Sequence, residues 1–561
     1  MDGDSRDFLY KYALQNAVMH NNVPKAGAVL GALMGKHPEL RPRAREYSAL
    51  LGEILAEIEE MNPDERRTRL ESLAPELLRK KEKKKRDTGL RPLENIGEEG
   101  VVMRFAPNPS GPLHLGHSRA AYLNDYYIRK YGGKYIIRIE DTDPKRISEE
   151  NYQMLLSDVD WLGIQVSEIV YQSDRMDIYY SYCEKLILLG GAYLCTCDSE
   201  IFRDLKNHKN VCPCRSRTIE ENLSLWNDML AGKYAEGQIT VRLKTDISHP
   251  DPAMRDFSIF RIVESTSHPR CDARVYPLMN FSVAVDDHLL GMTHVIRGKD
   301  HIANTRRQKF IYDYFGWEQP TYFHYGRMSI GDIVLSTSAM KAGIASGEYS
   351  GWDDIHLGTL KAIARRGFSP DALRNAMVDI GIGQTDINFS WENLYAANKA
   401  IVDPIANRYF FVPNPVLCHI PDVSERIAHP LKNPNDEAKG TRSLTFTGDI
   451  YLPRDELEDG RMLRLKDLFN VRVKNYDDGF SLEYLGDSLD QARAEHAQII
   501  QWLPKDMAVR CMLHTSEGII EGVCEPDVRR ETDTVVQFER VGFARIDRAS
   551  ETDVSAYFAH K

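Results

Sequence analysis

The sequence of 561 residues lacks the features that mark membrane, secreted and fibrous proteins. It has no apolar run of transmembrane length, no internal repeat and no long low-complexity segment. Its 9 cysteines are clustered, which does not suit an extracellular disulfide framework. Residues 1–7 are polar and acidic, unlike a secretory signal. We therefore expect a cytoplasmic protein without membrane contact.

The charge balance leaves nucleic-acid binding open. The chain carries 83 acidic and 72 basic residues, for a formal net charge of −11. Binding to RNA depends on local basic patches and not on the total, so this excess of acid excludes little. One basic run, residues 79–86, is either a solvated linker or a segment that contacts phosphates. The length exceeds what a single core supports and predicts roughly three to five domains.

The most informative segment is residues 104–117, which read RFAPNPSGPLHLGH. It follows a short apolar strand and precedes a helical pattern, so unpaired helix N–H groups should face an anion at the sheet edge. His114 and His117 can bond nucleotide phosphates there and stabilise charge growing on phosphorus. Gly116 leaves room for a base to approach the backbone. The combination predicts nucleotidyl transfer, and the alternative is a surface turn.

The pattern around this segment predicts a strand–helix–strand unit. Residues 101–105 read as a strand, 118–131 as a helix and 135–139 as the next strand, so a parallel sheet is expected. The loop 140–144 then lies at the carboxyl end of a strand, where open α/β sheets bind ligands.

The remaining segments predict other architectures. Residues 1–77 show helical spacing, 190–285 look inserted, and the parallel pattern resumes at 293–297 with a helix through Tyr314. Residues 352–385 read as helical. Short strands at 443–447, 471–474 and 534–545 favour a β-barrel or sandwich.

A second motif, together with the first, indicates a family resemblance. The hydroxyl-rich loop Leu335-Ser-Thr-Ser338 offers phosphate donors. With His-Leu-Gly-His, it resembles the paired motifs of class I aminoacyl-tRNA synthetases, whose second motif binds pyrophosphate. The usual lysine of that motif is replaced by Thr337. Lys341 is the candidate for the missing cation.

Several segments in the right order resemble glutamyl-tRNA synthetases of the archaeal or eukaryotic, glutaminyl-like type. They are residues 104–117, 138–143, 285–291 and 294–301. Residues 536–543 resemble the second anticodon-binding barrel of glutaminyl-type enzymes, whose arginines and aromatics stack on splayed bases. The resemblance spans roughly residues 100–560.

The resemblance implies a multidomain protein with a Rossmann-type α/β catalytic core. The expected divisions are an N-terminal helical extension (1–88), the first half of the core (89–192), an inserted acceptor-arm and zinc domain (193–290), the second half with the Leu-Ser-Thr-Ser loop (291–345), a helical stem-contact region (346–400) and anticodon-binding β-barrels (401–561).

It also implies the site residues. Arg104, Glu140 and Arg297 match positions that contact the amino acid, and paired guanidiniums suit a dicarboxylate. Met279 replaces a tyrosine common in relatives, so Tyr276 or Asn280 is expected to compensate. Further candidates are Pro107, Asn108 and Ser110 for the substrate; Gly116, Gly298, Asp300, His301, His324, Met328 and Leu335 for ATP; and His114, His117, Ser336, Ser338 and Lys341 for catalysis.

Arg297 favours glutamate over glutamine. A buried guanidinium facing a neutral carboxamide would lack its counter-ion, at a cost of about 1.5–3 kcal/mol. The alternatives are a glutaminyl-tRNA synthetase and a tRNA-binding scaffold that has lost catalysis, the latter suggested by the altered second motif.

The cysteines Cys195, Cys197, Cys212 and Cys214 form two C-x-C pairs. Four thiolates predict a structural zinc ion, with small buried hydrophobes as the alternative. The expected cofactors are ATP, Mg²⁺ and this Zn²⁺. The expected partners are L-glutamate and tRNA(Glu), with tRNA(Gln) left open as a second substrate whose product a tRNA-dependent amidotransferase would convert.

Overall fold

The computed structural model describes residues 3–20, 26–27, 29–31, 44–74, 77, 90–264, 267–331, 333–476 and 479–561. The chain divides into two compact units, Met1–Gly89 and Leu90–Lys561. The basic run 79–86 lies outside the described residues, so its contact with phosphates stays a prediction. Within the described part of the chain, no helix is long and apolar enough to span a membrane.

The first unit is helical, as predicted. Its helices are α1 (Gly3–His20), α2 (Ala44–Glu59) and α3 (Pro63–Leu73). Leu14, Ile54 and Leu70 are fully buried in one shared core. Helix α3 begins with a capping box in which Asn62 and Glu65 bond each other's backbone N–H groups.

The second unit starts with an α/β half that contains an insertion. In chain order its elements are β1 (Val101–Phe105), α4 (Leu115–Tyr131), β2 (Gly133–Ile139), α5 (Glu149–Trp161), β3 (Glu168–Tyr171), α6 (Met176–Leu188), β4 (Ala192–Cys195), α7 (Ser199–Asn207), α8 (Ile219–Leu230), β5 (Thr240–Leu243), β6 (Phe257–Ile262), β7 (Val275–Pro277), α9 (Met279–Leu289), β8 (His294–Gly298), α10 (Ile302–Phe315) and β9 (Thr321–Tyr325).

Parallel strands form the base of this half. Strand β2 pairs in parallel with β1 and β3, and β8 pairs in parallel with β9. The Thr293 N–H donates to the Val102 carbonyl at 3.0 Å, which places β8 beside β1. The carboxyl ends of β1, β2 and β8 therefore meet at one edge, as the strand–helix–strand pattern predicted.

The helix after β1 begins three residues earlier than the spacing of apolar residues predicted. It starts at Leu115 because His114 is its N-cap and His117 completes a capping box. Imidazole caps are absent from the usual set of Ser, Thr, Asp and Asn, so the sequence rule misplaced the boundary.

The insertion has its own sheet and shares a hydrophobic core with α6, α9 and α10. Strands β4, β5, β6 and β7 form a four-stranded antiparallel sheet in that order. Trp226, Ile259 and Phe260 lie in its hydrophobic core. The C-x-C pairs lie at the end of β4 and before α8.

A set of short elements follows the α/β half. They are β10 (Met328–Ser329), α11 (Thr337–Ser346), α12 (Leu360–Arg365), α13 (Pro370–Ile380), β11 (Ile387–Asn388) and α14 (Trp391–Val402). Residues 352–385 are therefore two helices with non-helical flanks, which corrects the continuous helical interpretation. Gly367, at φ +89°, and Pro370, in the first turn of α13, force the break.

The C-terminal part contains strands in two curled sheets. Their elements are β12 (Arg408–Tyr409), β13 (Phe411–Pro413), β14 (Pro415–His419), β15 (Arg426–Ala428), β16 (Leu444–Phe446), β17 (Asp449–Pro453), β18 (Met462–Leu465), β19 (Asn470–Tyr476), β20 (Gly479–Gly486), α15 (Leu489–Ala494), β21 (Gln498–Ile500), β22 (Leu503–Pro504), β23 (Val509–Thr515), β24 (Gly518–Cys524), β25 (Val535–Phe538), β26 (Gly542–Ala549) and β27 (Asp553–His560).

Strands β15 and β16 pair with each other in a separate two-stranded sheet. Each of the two larger sheets surrounds its own core. One has the order β21-β18-β19-β20-β14-β17-β22 and the other β12-β25-β26-β27-β23-β24-β13. The stretch 534–545, expected as one strand, is a hairpin that turns at Arg540, where φ is +64°.

A buried charge cluster joins the two sheets. Arg442 pairs with Glu525 and, at 2.7 Å, with Glu539, while Lys466 also pairs with Glu539. Arg442 and Glu525 are both 2% exposed. The Lys466–Glu539 pair connects the end of β18 in one sheet to the turn after β25 in the other. Without its two carboxylate partners, Arg442 would be an uncompensated buried charge.

Candidate active site

A cavity of about 210 Å³ lies where the carboxyl ends of β1, β2 and β8 meet. It gathers residues from distant parts of the chain. Of the residues proposed from the sequence, Arg104, Pro107, Asn108, His117, Glu140, Arg297, Gly298 and His301 line it, together with Phe105, Ala106, Ala120, Met279, Val283, Ile296 and Tyr325.

The two motif histidines form a stacked pair at the start of α4. Their ring centroids are 3.8 Å apart. His114 Nδ1 accepts from the Gly116 N–H at 3.1 Å, and His117 Nδ1 accepts from the His114 N–H at 3.2 Å. A Cβ on residue 116 would lie 2.9 Å from the His114 ring, so glycine is required there for the ring to fold back.

This geometry sets the protonation of both rings. Burial lowers the pKa of His117 to about 4, and burial followed by the neighbouring ring lowers the pKa of His114 well below its ordinary value. Both imidazoles are therefore neutral near pH 7. Because each Nδ1 is an acceptor, each proton resides on Nε2, which makes both rings hydrogen-bond donors suited to phosphate oxygens.

A buried ion network forms the floor of the site. Arg104 Nε and Nη2 donate to the Asp287 carboxylate at 3.0 and 3.3 Å. Arg138 bridges Asp287 at 2.5 Å and Glu140 at 3.0 Å. Burial alone would raise the pKa of Asp287, but Arg104 and Arg138 outweigh it and hold this pKa near 2. Arg104 thus has its counter-ion inside the protein.

Arg297 has no carboxylate counter-ion among the described residues. It donates to Thr305 Oγ1 and, at 2.9 Å, to Gln308 Oε1, both neutral groups on α10. Its guanidinium lies 4.7 Å from the Tyr322 ring centroid and is 8% exposed. Burial, followed by the charge of Arg104, lowers its pKa to about 10. Such an arginine attracts an external anion.

The two residues expected to compensate for the missing tyrosine, Tyr276 and Asn280, lie in different environments. Tyr276 is fully buried in the core of the insertion, with its hydroxyl 4.0 Å from Cys271 Sγ, and it does not line the cavity. The pairing of β7 with β6 turns it into that core. Asn280 follows the cavity residue Met279, and its buried Oδ1 has no hydrogen-bond partner among the described residues. Ser110 lies outside the cavity lining.

The Leu-Ser-Thr-Ser loop lies against the first motif. Ser336 is the N-cap of α11, and its Oγ accepts from the Ala339 N–H at 3.5 Å. A Cβ on Gly111 would lie 2.7 Å from Thr337 Cγ2, so the two motifs approach at a glycine. Leu335 packs on Gly358. Ser338 and Lys341 are exposed, and Lys341 lies one helical turn beyond Thr337.

The other ATP candidates surround α10. His324 Nε2 lies 2.9 Å from Thr305 Oγ1, the hydroxyl that also holds Arg297. His301 Nε2 lies 3.5 Å from Asp300 Oδ2. Met328 is half-buried in β10. Apart from His301, these side chains lie outside the cavity lining.

The four cysteines of the insertion converge. Their sulfur atoms all lie within 4.8 Å of one another, with pairs at 3.4, 3.7 and 3.7 Å. Three of the side chains are buried and Cys197 is half-buried. A small volume bounded by four sulfurs fits a tetrahedral metal ion.

Sequence reasoning missed the partners of the arginines. Arg138 and Asp287 both lie in segments that carry the family resemblance, but their pairing joins residues 149 positions apart. The available signal was physical: an arginine inside an apolar strand needs a carboxylate.

Comparisons with known proteins identify the family of the chain. Residues 100–404 match the catalytic domain of the class I tRNA synthetases (E and Q), and residues 406–485 and 499–547 match their anti-codon binding domains. A glutamate–tRNA ligase of Methanoculleus marisnigri is 60% identical over the whole of both chains, and one of Methanocorpusculum labreanum is 58% identical, also over both whole chains.

Among solved structures, a glutamate tRNA ligase from Elizabethkingia meningosepticum in complex with its amino acid is 22% identical, with a TM-score of 0.40 over 55% of this chain and 70% of that one. The family matches cover the sheet edge, the insertion and both C-terminal sheets. The chain belongs to the class I aminoacyl-tRNA synthetases of the glutamyl and glutaminyl group.

Proposed function

We propose that this protein ligates L-glutamate to tRNA(Glu) through a glutamyl-adenylate, at the expense of ATP. The supporting observation is the unequal charge of the cavity. Arg104 is neutralised by Asp287, whereas Arg297 has only neutral partners among the described residues. The side-chain carboxylate of glutamate supplies the missing anion, and the carboxamide of glutamine does not.

The first step joins the α-carboxylate of glutamate to ATP. A carboxylate oxygen attacks the α-phosphorus in line, a P–O bond forms, and pyrophosphate leaves with the electron pair of the broken bond. The neutral His114 and His117 donate from Nε2 to phosphate oxygens as charge develops. Glu140 at the cavity wall is placed to accept from the substrate ammonium. The Leu335–Ser338 loop and Lys341 are assigned to the leaving pyrophosphate.

The second step transfers the glutamyl group. The terminal ribose hydroxyl of tRNA attacks the carbonyl carbon of the mixed anhydride, and AMP leaves. No covalent enzyme intermediate is needed, so the protein contributes positioning and electrostatic stabilisation. Mg²⁺ accompanies the ATP phosphates as part of the substrate.

We assign Zn²⁺ to Cys195, Cys197, Cys212 and Cys214. Four thiolate ligands would leave no position for a catalytic water, so the ion would supply stability and no chemistry. The residues fit the ion, because their sulfurs already converge in a partly buried cluster. The metal would hold in place the segment between β4 and α8, which contains α7.

The proposal is tested by charging purified tRNA(Glu) and tRNA(Gln) with each amino acid. Glutamylation of tRNA(Glu) with ATP consumption is the expected result. Preferred use of glutamine would identify a glutaminyl enzyme, and complete inactivity of folded, zinc-loaded protein would identify a scaffold. Glutamylation of tRNA(Gln) would make a tRNA-dependent amidotransferase the required partner.

A further inference from the structure

We infer that Asp158, on helix α5, is a positioning residue that holds the peptide preceding the two active-site histidines. The assignment rests on the proposed adenylate-forming role of that histidine pair. Asp158 lies outside the cavity lining, so it acts through the backbone of the motif and not on the substrate.

The contact is short and buried. Asp158 Oδ2 accepts from the Leu113 N–H at 2.7 Å, and the residue is 3% exposed. On the other side, the Leu113 carbonyl accepts from the Leu360 N–H at 2.9 Å, and the Leu115 N–H donates to the Gly358 carbonyl at 3.0 Å. The backbone around His114 is therefore clamped between α5 and the start of α12.

The clamp determines where the imidazoles lie. His114 is the N-cap of α4, with φ −130° and ψ 171°, and its own N–H supports the His117 ring. A shift of the Leu113 peptide therefore moves both rings. Displacements of about 1 Å in a catalytic array are enough to slow a reaction substantially.

Burial of a carboxylate at this position is energetically unfavourable. The helix that carries it contributes Leu155 and Val159 to an apolar core that also contains Leu360. Burial raises the pKa of Asp158 to about 7, and the Leu113 hydrogen bond and the charge of Lys361 offset this only in part. Costly polar groups in a core are expected where function requires them.

Among the charged groups around the motif, Asp158 is the carboxyl expected to titrate near neutrality. Burial raises the pKa of Glu525 to about 7 as well, but that residue lies in the C-terminal part of the chain. Lys361 faces it from α12, and Asp353 on the adjoining loop is paired with Arg365 at 2.9 Å. The two histidines of the motif have pKa values well below neutrality. The ionised carboxylate is the stronger acceptor for the Leu113 N–H, so the reaction should quicken as pH rises through about 7.

The decisive comparison is Asp158→Asn with Asp160→Asn as the matched control. Asp160 lies on the same helix and is exposed. We expect D158N to lower the kcat of glutamylation roughly tenfold, with the KM values for glutamate and ATP within roughly twofold of wild type. The pH profile of D158N should also lack the acid limb, which is the fall in rate that we expect of wild type as the pH drops below about 7. D160N should behave as wild type.

Two further measurements separate positioning from a structural role. The melting temperature of D158N at about pH 8 should equal or exceed that of wild type, because the variant no longer buries a charge. Amide hydrogen exchange of residues 113–118 should accelerate in D158N while exchange in the C-terminal sheets stays unchanged. Lys361→Gln should move the acid limb to higher pH and keep the plateau rate.

The outcomes are distinct. A D158N enzyme with wild-type kcat and pH profile would overturn the inference, as would a slow variant whose melting temperature has dropped, since that pattern indicates a structural role. Wild-type protein that forms no glutamyl-tRNA would refute the proposed function instead. In that event the exchange rates at residues 113–118 still decide whether Asp158 holds the motif.

Discussion

Replacing Arg297 with glutamine is the sharpest test of how the cavity selects its amino acid. The side chain is anchored by Thr305 and Gln308, it is 8% exposed, and its charge has no carboxylate partner among the described residues. Arg297→Gln removes the charge and keeps a polar group of similar reach. The cavity then contains no spare cation beside Arg104, which Asp287 already neutralises.

The magnitude follows from the contact that is lost. A hydrogen bond to a charged group contributes about 1.5–3 kcal/mol, which corresponds to roughly a 10- to 150-fold rise in the KM for glutamate. The KM for glutamine should change far less, because a carboxamide does not need the cation. The preference for glutamate over glutamine, as a ratio of kcat/KM values, should fall by a similar factor.

The assay is steady-state charging of tRNA(Glu) at saturating ATP, with each amino acid varied in turn. Arg306→Gln is the control, because Arg306 is exposed and lies on α10, the helix that carries Thr305 and Gln308. An R297Q enzyme whose glutamate KM stays within roughly twofold of wild type would refute the assigned role.

Three other perturbations address the remaining groups. His117→Ala should lower kcat roughly 100-fold at unchanged glutamate KM, since it removes one donor to the developing charge; an equal rise in KM would contradict this. Cys212→Ser should lower both bound zinc, measured by elemental analysis, and the melting temperature, and full zinc occupancy would refute the four-thiolate site. Asp287→Asn should destabilise the protein above about pH 4, and the gap to wild type should close as pH falls towards 2, because the depressed pKa of Asp287 supplies stability only while the group is ionised.

The sequence was most informative where chemistry and structure are both local. The strand–helix–strand unit and the His-Leu-Gly-His segment predicted the sheet edge, and the family resemblance is confirmed by full-length relatives. Gly367 and Pro370 also carried a readable signal for the break in the helical region. That signal was overlooked because the apolar spacing continues across it.

Contacts between distant segments could not be predicted in the same way. The pairing of Arg138 with Asp287 depends on the packing of α9 across β1 and β2, which no local pattern encodes. Tyr276 was a reasonable candidate by position, but whether a strand residue faces a cavity or a core depends on the pairing of its sheet. The role of Asp158 has the same origin, because its partner Leu113 is 45 positions away.

The ion cluster between the C-terminal sheets has a consequence for RNA recognition. Because Arg442 and Glu525 are buried and Glu539 pairs with both Arg442 and the half-exposed Lys466, the surfaces expected to read the anticodon are spaced before any RNA arrives. The entropic cost of arranging those surfaces is met during folding. The anticodon loop of the tRNA must then change its own conformation on binding. We therefore expect loops whose bases unstack easily to bind faster than stiff loops of equal sequence complementarity.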